Sequence, residues 1–338
     1  VESLEALRRR LETGESLHSL VRTMRALAWV SIRQYEEANR SLESYERAVE
    51  LGLQITLHEL RAPRRGRGAL ARLGEAGSER VGAVVLGSAQ GLAGRFNEQI
   101  ARLARGRLGQ LRPRRLHLLA YGPFVAEHLN AFGVHPDRMI GLPGSVDAIT
   151  EAVQDLLLEV EEWRREEGVE RVLLFYNLHA GRRRPSPHTR WLLPLDPEWL
   201  RELADRPWGG PSLPTHRIDR DRLFRALVRE HLFVACYRAF AESLASEHAS
   251  RLAAMQTAEK RIDEKLGDLR LQYHRRRQAS ITEELMDIVS GYEVLAGEEP
   301  HEGIARQRSG QTTGTSSIKR TKAIRVNGRP ARTKSRKR

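Results

Sequence analysis

Proline placement constrains this chain more than any other feature. Twelve of its fourteen prolines lie between Pro63 and Pro214; none precedes Pro63 and none falls between Pro214 and Pro300. Proline ends or kinks a helix, so the two proline-free flanks are where long helices can run. In the first flank Leu17, Val21, Met24, Ala28, Tyr35, Ala38, Leu42, Tyr45 and Val49 advance in steps of three, four or seven, the seam of a coiled coil with Ser31 as a polar gap. In the last flank Leu252, Met255, Ile262, Leu266, Leu269 and Tyr273 do the same, with Glu259 as the gap. Ile281, Leu285, Ile288 and Tyr292 resume after a one-residue slip. Helices of about 110 Å, from Asp221 to Leu295, and about 80 Å exceed any ordinary globular core. They can bury narrow apolar stripes by pairing antiparallel with each other, and a rod is the expected result.

The segment between them has a different grain. Val81 to Gly87, Leu116 to Tyr121 and Val172 to Tyr176 read as buried strands, with Thr189 to Leu193 as a possible fourth. Asn97 to Leu111, Phe124 to Phe132 and Val146 to Glu166 have helical periodicity. Strands alternating with helices predict a small α/β domain with a mostly parallel sheet. The expected division is an N-terminal coiled-coil helix over 1–60, a linker over 61–80 and a central α/β domain over 81–214. A long C-terminal coiled-coil helix over 215–297 and a basic tail over 298–338 complete it.

Charge first points toward nucleic acid, because the formal net charge is +13. Its distribution removes that inference for the body of the chain. Residues 303–338 hold twelve Lys and Arg and no acid, leaving 45 basic against 44 acidic groups in the rest. No apolar run approaches the roughly 20 residues of a bilayer-spanning helix. Val1 to Arg10 alternates charge with leucine, so no signal peptide is expected. A single cysteine, Cys236, excludes a disulfide framework, and the expected compartment is reducing cytosol.

Candidate chemistry is sparse. Gly87, Gly91 and Gly94 follow a strand and precede a helix, but neither GxxxxGK with Ser or Thr nor GxGxxG is present. They serve a tight turn and close packing, or form a contact surface. None of the twelve histidines sits in HExxH or pairs with a cysteine at ligand spacing, so no metal and no cofactor is expected. His248 reads as an inter-helix hydrogen-bonding residue. Glu161, Glu162, Glu166 and Glu167, beside Arg164 and Arg165, read as a solvated helix face. The triplets Arg8, Arg9, Arg10 and Arg275, Arg276, Arg277 are either solvated faces or a positive collar meeting a partner's acidic loops.

Three stretches resemble the gamma subunit of F-type ATP synthases. LRRRLETGESLHSLVRTMRALAWVSIRQ, from Leu7 to Gln34, is similar to that family's opening helix. SAQGLAGRFN, from Ser88 to Asn97, is similar to its SDRGLCGGFN. ASEHASRLAAMQTAEKRIDEKLGDLRLQYHRRRQASITEELMDIVSGYEVL, from Ala245 to Leu295, follows its closing helix almost position by position. The resemblance implies an antiparallel coiled coil inside a ring of three alpha and three beta subunits. The α/β domain lies against the epsilon subunit and the membrane rotor ring. It implies a shaft without an active site, in a peripheral complex on the cytoplasmic face of the bacterial inner membrane. The resemblance also implies beta-subunit contacts at Arg8, Arg9, Met24, Arg25, Arg277, Gln278 and Thr282. SAQG and AGR in place of SDRG and CGG, and Ala28–Trp29 in place of a small and basic run, fit the divergent alternate branch of the family, some members of which move sodium.

The family normally ends near Leu295, so the tail from Gly303 is a departure whose composition predicts disorder. It is a functionless extension, a tether to acidic surfaces or anionic lipid, or a nucleic-acid-binding arm. Other readings of the whole chain are a free-standing coiled-coil adaptor and a nucleotide-binding enzyme built on the α/β domain.

Overall fold

A computed structural model describes residues 3–61, 80–179, 185–210 and 214–296; the linker over 62–79 and the tail from 297 lie outside the described residues. Residues 1–279 form one unit and those from Ser280 a second. The first opens with α1 (Leu4–Ser41), capped by Ser3, whose side chain accepts from the Ala6 N–H. After a one-residue break at Leu42, α2 (Glu43–Arg61) continues it. The middle segment follows as β1 (Arg80–Leu86), α3 (Phe96–Leu111), β2 (Arg115–Tyr121), α4 (Pro123–Ala131), β3 (Arg138–Ile140), α5 (Ala148–Glu166), β4 (Arg171–Leu178), β5 (Ser186–Leu193) and α6 (Pro197–Asp205). The last helix, α7, is Arg220–Ala296.

The sheet has the order β3-β2-β1-β4-β5. Its first four strands pair in parallel, and β5 closes the edge antiparallel to β4. Strands buried on both faces carry unbroken apolar runs. One face packs on α3 and α4 through Ile100, Ala104, Leu108, Val125 and Leu129. The other packs on α5 and on α7, where Phe240, Leu244 and Ala245 join Val84, Tyr121 and Leu174 around Tyr35 of α1. The Tyr121 and Phe240 rings meet edge to face at 5.0 Å. The sheet is thus welded to the paired long helices, not merely strung between them. A smaller apolar cluster joins α2 to α6 through Leu53, Leu57, Leu200 and Leu203.

Helices α1 and α7 pair antiparallel, and their contacts share one register. Arg270 donates to Glu15 (2.8 Å), His18 faces Asp263 (3.2 Å), and Arg25 bonds Glu259. Tyr35 stacks on His248, and past the break Arg238 donates to Glu46 of α2 (2.5 Å). In each pair the two residue numbers add to about the same total, as one antiparallel phase requires. Leu7, Val21, Ala28, Tyr35 and Ala38 of α1 are buried, as are Met255, Leu266 and Leu269 of α7.

The seam departs from the expected one in two places. Leu17 and Tyr45 are exposed, at 48% and 43%. Gly14 and His18 take the inward positions near Leu17: a Cβ on Gly14 would come within 2.7 Å of Leu266 Cδ2. Tyr45 instead reaches across the helix surface to donate to Glu230 at 2.6 Å. In the second unit, Ile281, Leu285, Met286, Ile288, Val289 and Tyr292 are all exposed, so the resumed heptad has no cover among the described residues.

Candidate functional site

The seam's polar gap on α7 is an ionic cluster. Glu259, with its side chain 15% exposed, bonds Arg25 and lies 3.9 Å from His18, which also meets Asp263. Arg25 is therefore engaged within the helix pair, though its side chain stays 40% exposed. Met24 beside it is half-buried. Arg8 and Arg9 are exposed and held by neighbours one turn away on their own helix, Glu12 at 3.1 Å and Glu5 at 2.7 Å. Such pairs are weak and readily exchanged. Arg277 is exposed and makes no ion pair among the described residues; Gln278 is exposed as well. Thr282, in the second unit, is exposed on α7. The two ends of α1's predicted contact set, Arg8–Arg9 and Met24–Arg25, thus differ: one is open to solvent, the other is built into the seam.

The glycine-bearing turn after β1 is a second centre. Gly87 sits where a Cβ would lie 2.4 Å from Val125 Cβ, so helix α4 can approach only a glycine. Asn97, at the start of α3, folds the turn back on itself. Its Oδ1 accepts from the Ser88 N–H (3.0 Å) and its Nδ2 donates to Ser88 Oγ (2.8 Å). Leu92 and Gly94 take positive φ, 63° and 62°, and Leu92 is 61% exposed at the turn's outer side.

Helix α7 lies against this turn with residues that spacing alone had not marked. Glu247 and Arg251 are each 3% exposed and bonded to one another at 2.5 Å. Arg251 also donates to the carbonyls of Gln90 (3.3 Å) and Gly91 (3.4 Å). One turn earlier Ser246 Oγ donates to the Asn177 carbonyl at 2.9 Å, at the end of β4. Burial raises the Glu247 carboxyl above its usual range, more than the Arg251 contact lowers it. Burial likewise pushes His248 down to about 4, with Arg251's charge adding to it, so the ring is neutral near pH 7. His248 does join the two helices, through a ring stack on Tyr35 at 5.7 Å; its polar neighbour, Arg251 at 3.1 Å, is on its own helix.

Elsewhere, a cavity of about 710 Å³ between β5, α6 and α7 is lined in part by Arg190, Trp199 and His231. Arg171, at the amino-terminal end of β4, also lines it. Ligands of open α/β sheets take the opposite, carboxyl-terminal edge. Among the described residues no cluster of three or more His, Cys, Asp or Glu could hold a metal ion. No helix among them is long and apolar enough to cross a membrane.

Comparison with known proteins agrees with this architecture. The family model described as ATP synthase matches residues 3–295. A protein named ATP synthase gamma chain from Anaeromyxobacter sp. (strain Fw109-5) is 29% identical over 315 residues, covering 87% of this chain and 99% of its own. The ATP synthase gamma chain of Desulfosudis oleivorans is 30% identical over 240 residues, covering 65% of this chain and 75% of its own. A chain in the Euglena gracilis mitochondrial ATP synthase structure (OSCP/F1/c-ring, rotational state 3) shares the fold with a TM-score of 0.59 at 17% identity, covering 90% of this chain and 98% of that one. A chain from the Tetrahymena thermophila mitochondrial ATP synthase central stalk and c-ring gives 0.51 at 18% identity, covering 71% and 99%. With two antiparallel long helices bracketing a mostly parallel sheet, and a family match running almost from end to end of the described residues, this chain belongs to the ATP synthase gamma-chain family.

Proposed function

We propose that the chain is the central rotating shaft of a membrane-bound F-type ATP synthase, coupling ion flow through the membrane rotor to ATP synthesis or hydrolysis. The α1–α7 pair turns inside a ring of three alpha and three beta subunits. The α/β domain meets epsilon and the membrane rotor ring, on the cytoplasmic face of the bacterial inner membrane. The chain carries no catalytic site of its own. In this reading 1–60 and 215–297 are the shaft, 81–214 the foot, 61–80 a linker and 298–338 an appended tail.

The observation that carries the reading is the long, single-register helix pair whose outer faces are unlike. On α1, basic Arg8 and Arg9 precede exposed Leu17, Leu20, Leu27 and Trp29; on α7, exposed Arg275 to Arg277 precede exposed Ile281 and Leu285. A shaft with unequal faces offers each of three surrounding subunits a different set of contacts, so each is biased toward a different conformation. Turning the shaft permutes the bias. Arg8, Arg9, Met24, Arg25, Arg277, Gln278 and Thr282 are the beta-subunit contacts. Exposed arginines suit that task, because solvent-accessible ion pairs worth under about 1 kcal/mol can re-form at each step without trapping the rotor.

Co-expression with the alpha and beta subunits of the same organism tests this. Size exclusion should give a complex of three alpha, three beta and one copy of this chain that turns over ATP. A chain that elutes alone and leaves the ATPase unaffected refutes it and favours an adaptor. Arg277→Ala with Gln278→Ala should lower turnover at least tenfold while leaving the complex intact.

A further inference from the structure

In the order β3-β2-β1-β4-β5, the chain leaves β1 in one direction for β2 and β3, then returns to β1's other side for β4. The carboxyl ends of β1 and β4 therefore flank a topological switch point. Open α/β sheets place ligands in the crevice at that point, commonly against the turn that follows the first strand. Here the crevice is occupied by the chain itself. Ser246 donates to the Asn177 carbonyl at the end of β4, and Arg251 donates to the Gln90 and Gly91 carbonyls in the turn after β1. Glu247, one turn before Arg251, neutralises it at 2.5 Å. The guanidinium thus grips the turn's backbone oxygens, while the Ala89 and Gln90 N–H groups of the same turn face the Glu247 carboxyl.

We propose that Ser246, Glu247 and Arg251 form a plug that locks the α/β domain to the shaft at a fixed angle, and that Arg251 is the positioning residue of the 88–95 turn. A buried ion pair is a poor source of stability compared with well-packed apolar residues. Its directional bonds do what apolar packing does not: they hold a turn containing two positive-φ residues, Leu92 and Gly94, in one conformation and at one bearing relative to α7. Torque crossing between foot and shaft passes through this joint. The half-buried His248 ring stacked on Tyr35 extends the joint to α1. The inference rests on the shaft reading for its functional consequence but not for its structural one.

The test uses the full chain in its complex with alpha, beta, epsilon and the membrane ring, and compares Arg251→Leu, Arg251→Lys and the double variant Glu247→Leu/Arg251→Leu. Because an isolated buried carboxylate could unfold the single variant, the double variant decides. It should keep the wild-type melting temperature within a few degrees. Amide hydrogen exchange in 88–95 should nonetheless rise about tenfold relative to α3, and ions pumped per ATP hydrolysed should fall at least twofold. Arg251→Lys should recover part of both. Wild-type exchange in 88–95 in the double variant overturns the plug. Raised exchange with an unchanged pumping ratio overturns its role in torque. A wild-type chain that drives no pumping at all sinks the shaft reading instead, and the exchange result still judges the plug.

Discussion

Glu259 shows how one residue can interrupt an apolar pattern and still serve it. It fills a seam position with a carboxylate that meets Arg25 from the facing helix and lies near His18. Glu259→Ala leaves Arg25 half-buried without its partner, and loss of a charged hydrogen bond of this kind costs about 1.5–3 kcal/mol; chemical denaturation of the isolated chain measures it. Gly87 is stricter, because any Cβ there collides with Val125. Gly87→Ala should destabilise by about 1–3 kcal/mol through displacement of α4, read as a lower melting temperature. His231, stacked on Trp199 at 4.4 Å, is held at about 4 by burial and, second, by Arg190's charge. The unfolded histidine titrates near its ordinary value of about 6.5. Between these values the unfolded chain binds the extra proton, so stability is fully present above about pH 6.5 and falls as the pH drops toward 4. His248 acts the same way, and Glu247, whose carboxyl is raised, acts oppositely. His231→Phe should therefore lose less stability than wild type between pH 7 and 4.5; parallel curves would show that His231 is not buried as a neutral ring.

Among the elements, legibility followed periodicity. The α7 seam was readable because Met255, Leu266 and Leu269 are apolar and face α1. The early α1 seam was not, because its inward residues are Gly14 and His18, which no apolar pattern can register. Strand β3, three residues long, is too short to show alternation, and its place comes from pairing with β2. Helix α6 is hidden in a proline-rich stretch, though it has a start signal: Asp196 accepts from the Glu198 N–H at 2.8 Å and Pro197 occupies the first turn. The Glu247–Arg251 pair looks in sequence like any solvated i,i+4 pair. Only the turn 160 residues away in sequence makes it buried. The exposed Ile288 and Tyr292, at 70% and 74%, make an element-scale prediction. Ile288→Glu should leave the melting temperature of the isolated chain unchanged and weaken its assembly with alpha and beta subunits at least tenfold, measured by size exclusion over a dilution series.

At the scale of the whole molecule, the first described helix is completed by the last, with Arg25 and Glu259 lying 234 positions apart. Synthesis proceeds at about 5–20 residues per second, so on the ribosome α1 waits roughly 10 to 50 seconds for the partner that covers Val21, Ala28 and Tyr35. During that interval it is an amphipathic helix with an open stripe, available to chaperones or to a neighbouring nascent chain. The α/β domain, whose strands all lie between, can close its sheet meanwhile but cannot finish the face that packs on Phe240 and Leu244. Arrival of α7 then completes two cores in one event, so the order of synthesis makes docking of the last helix the step that commits the molecule to its native state.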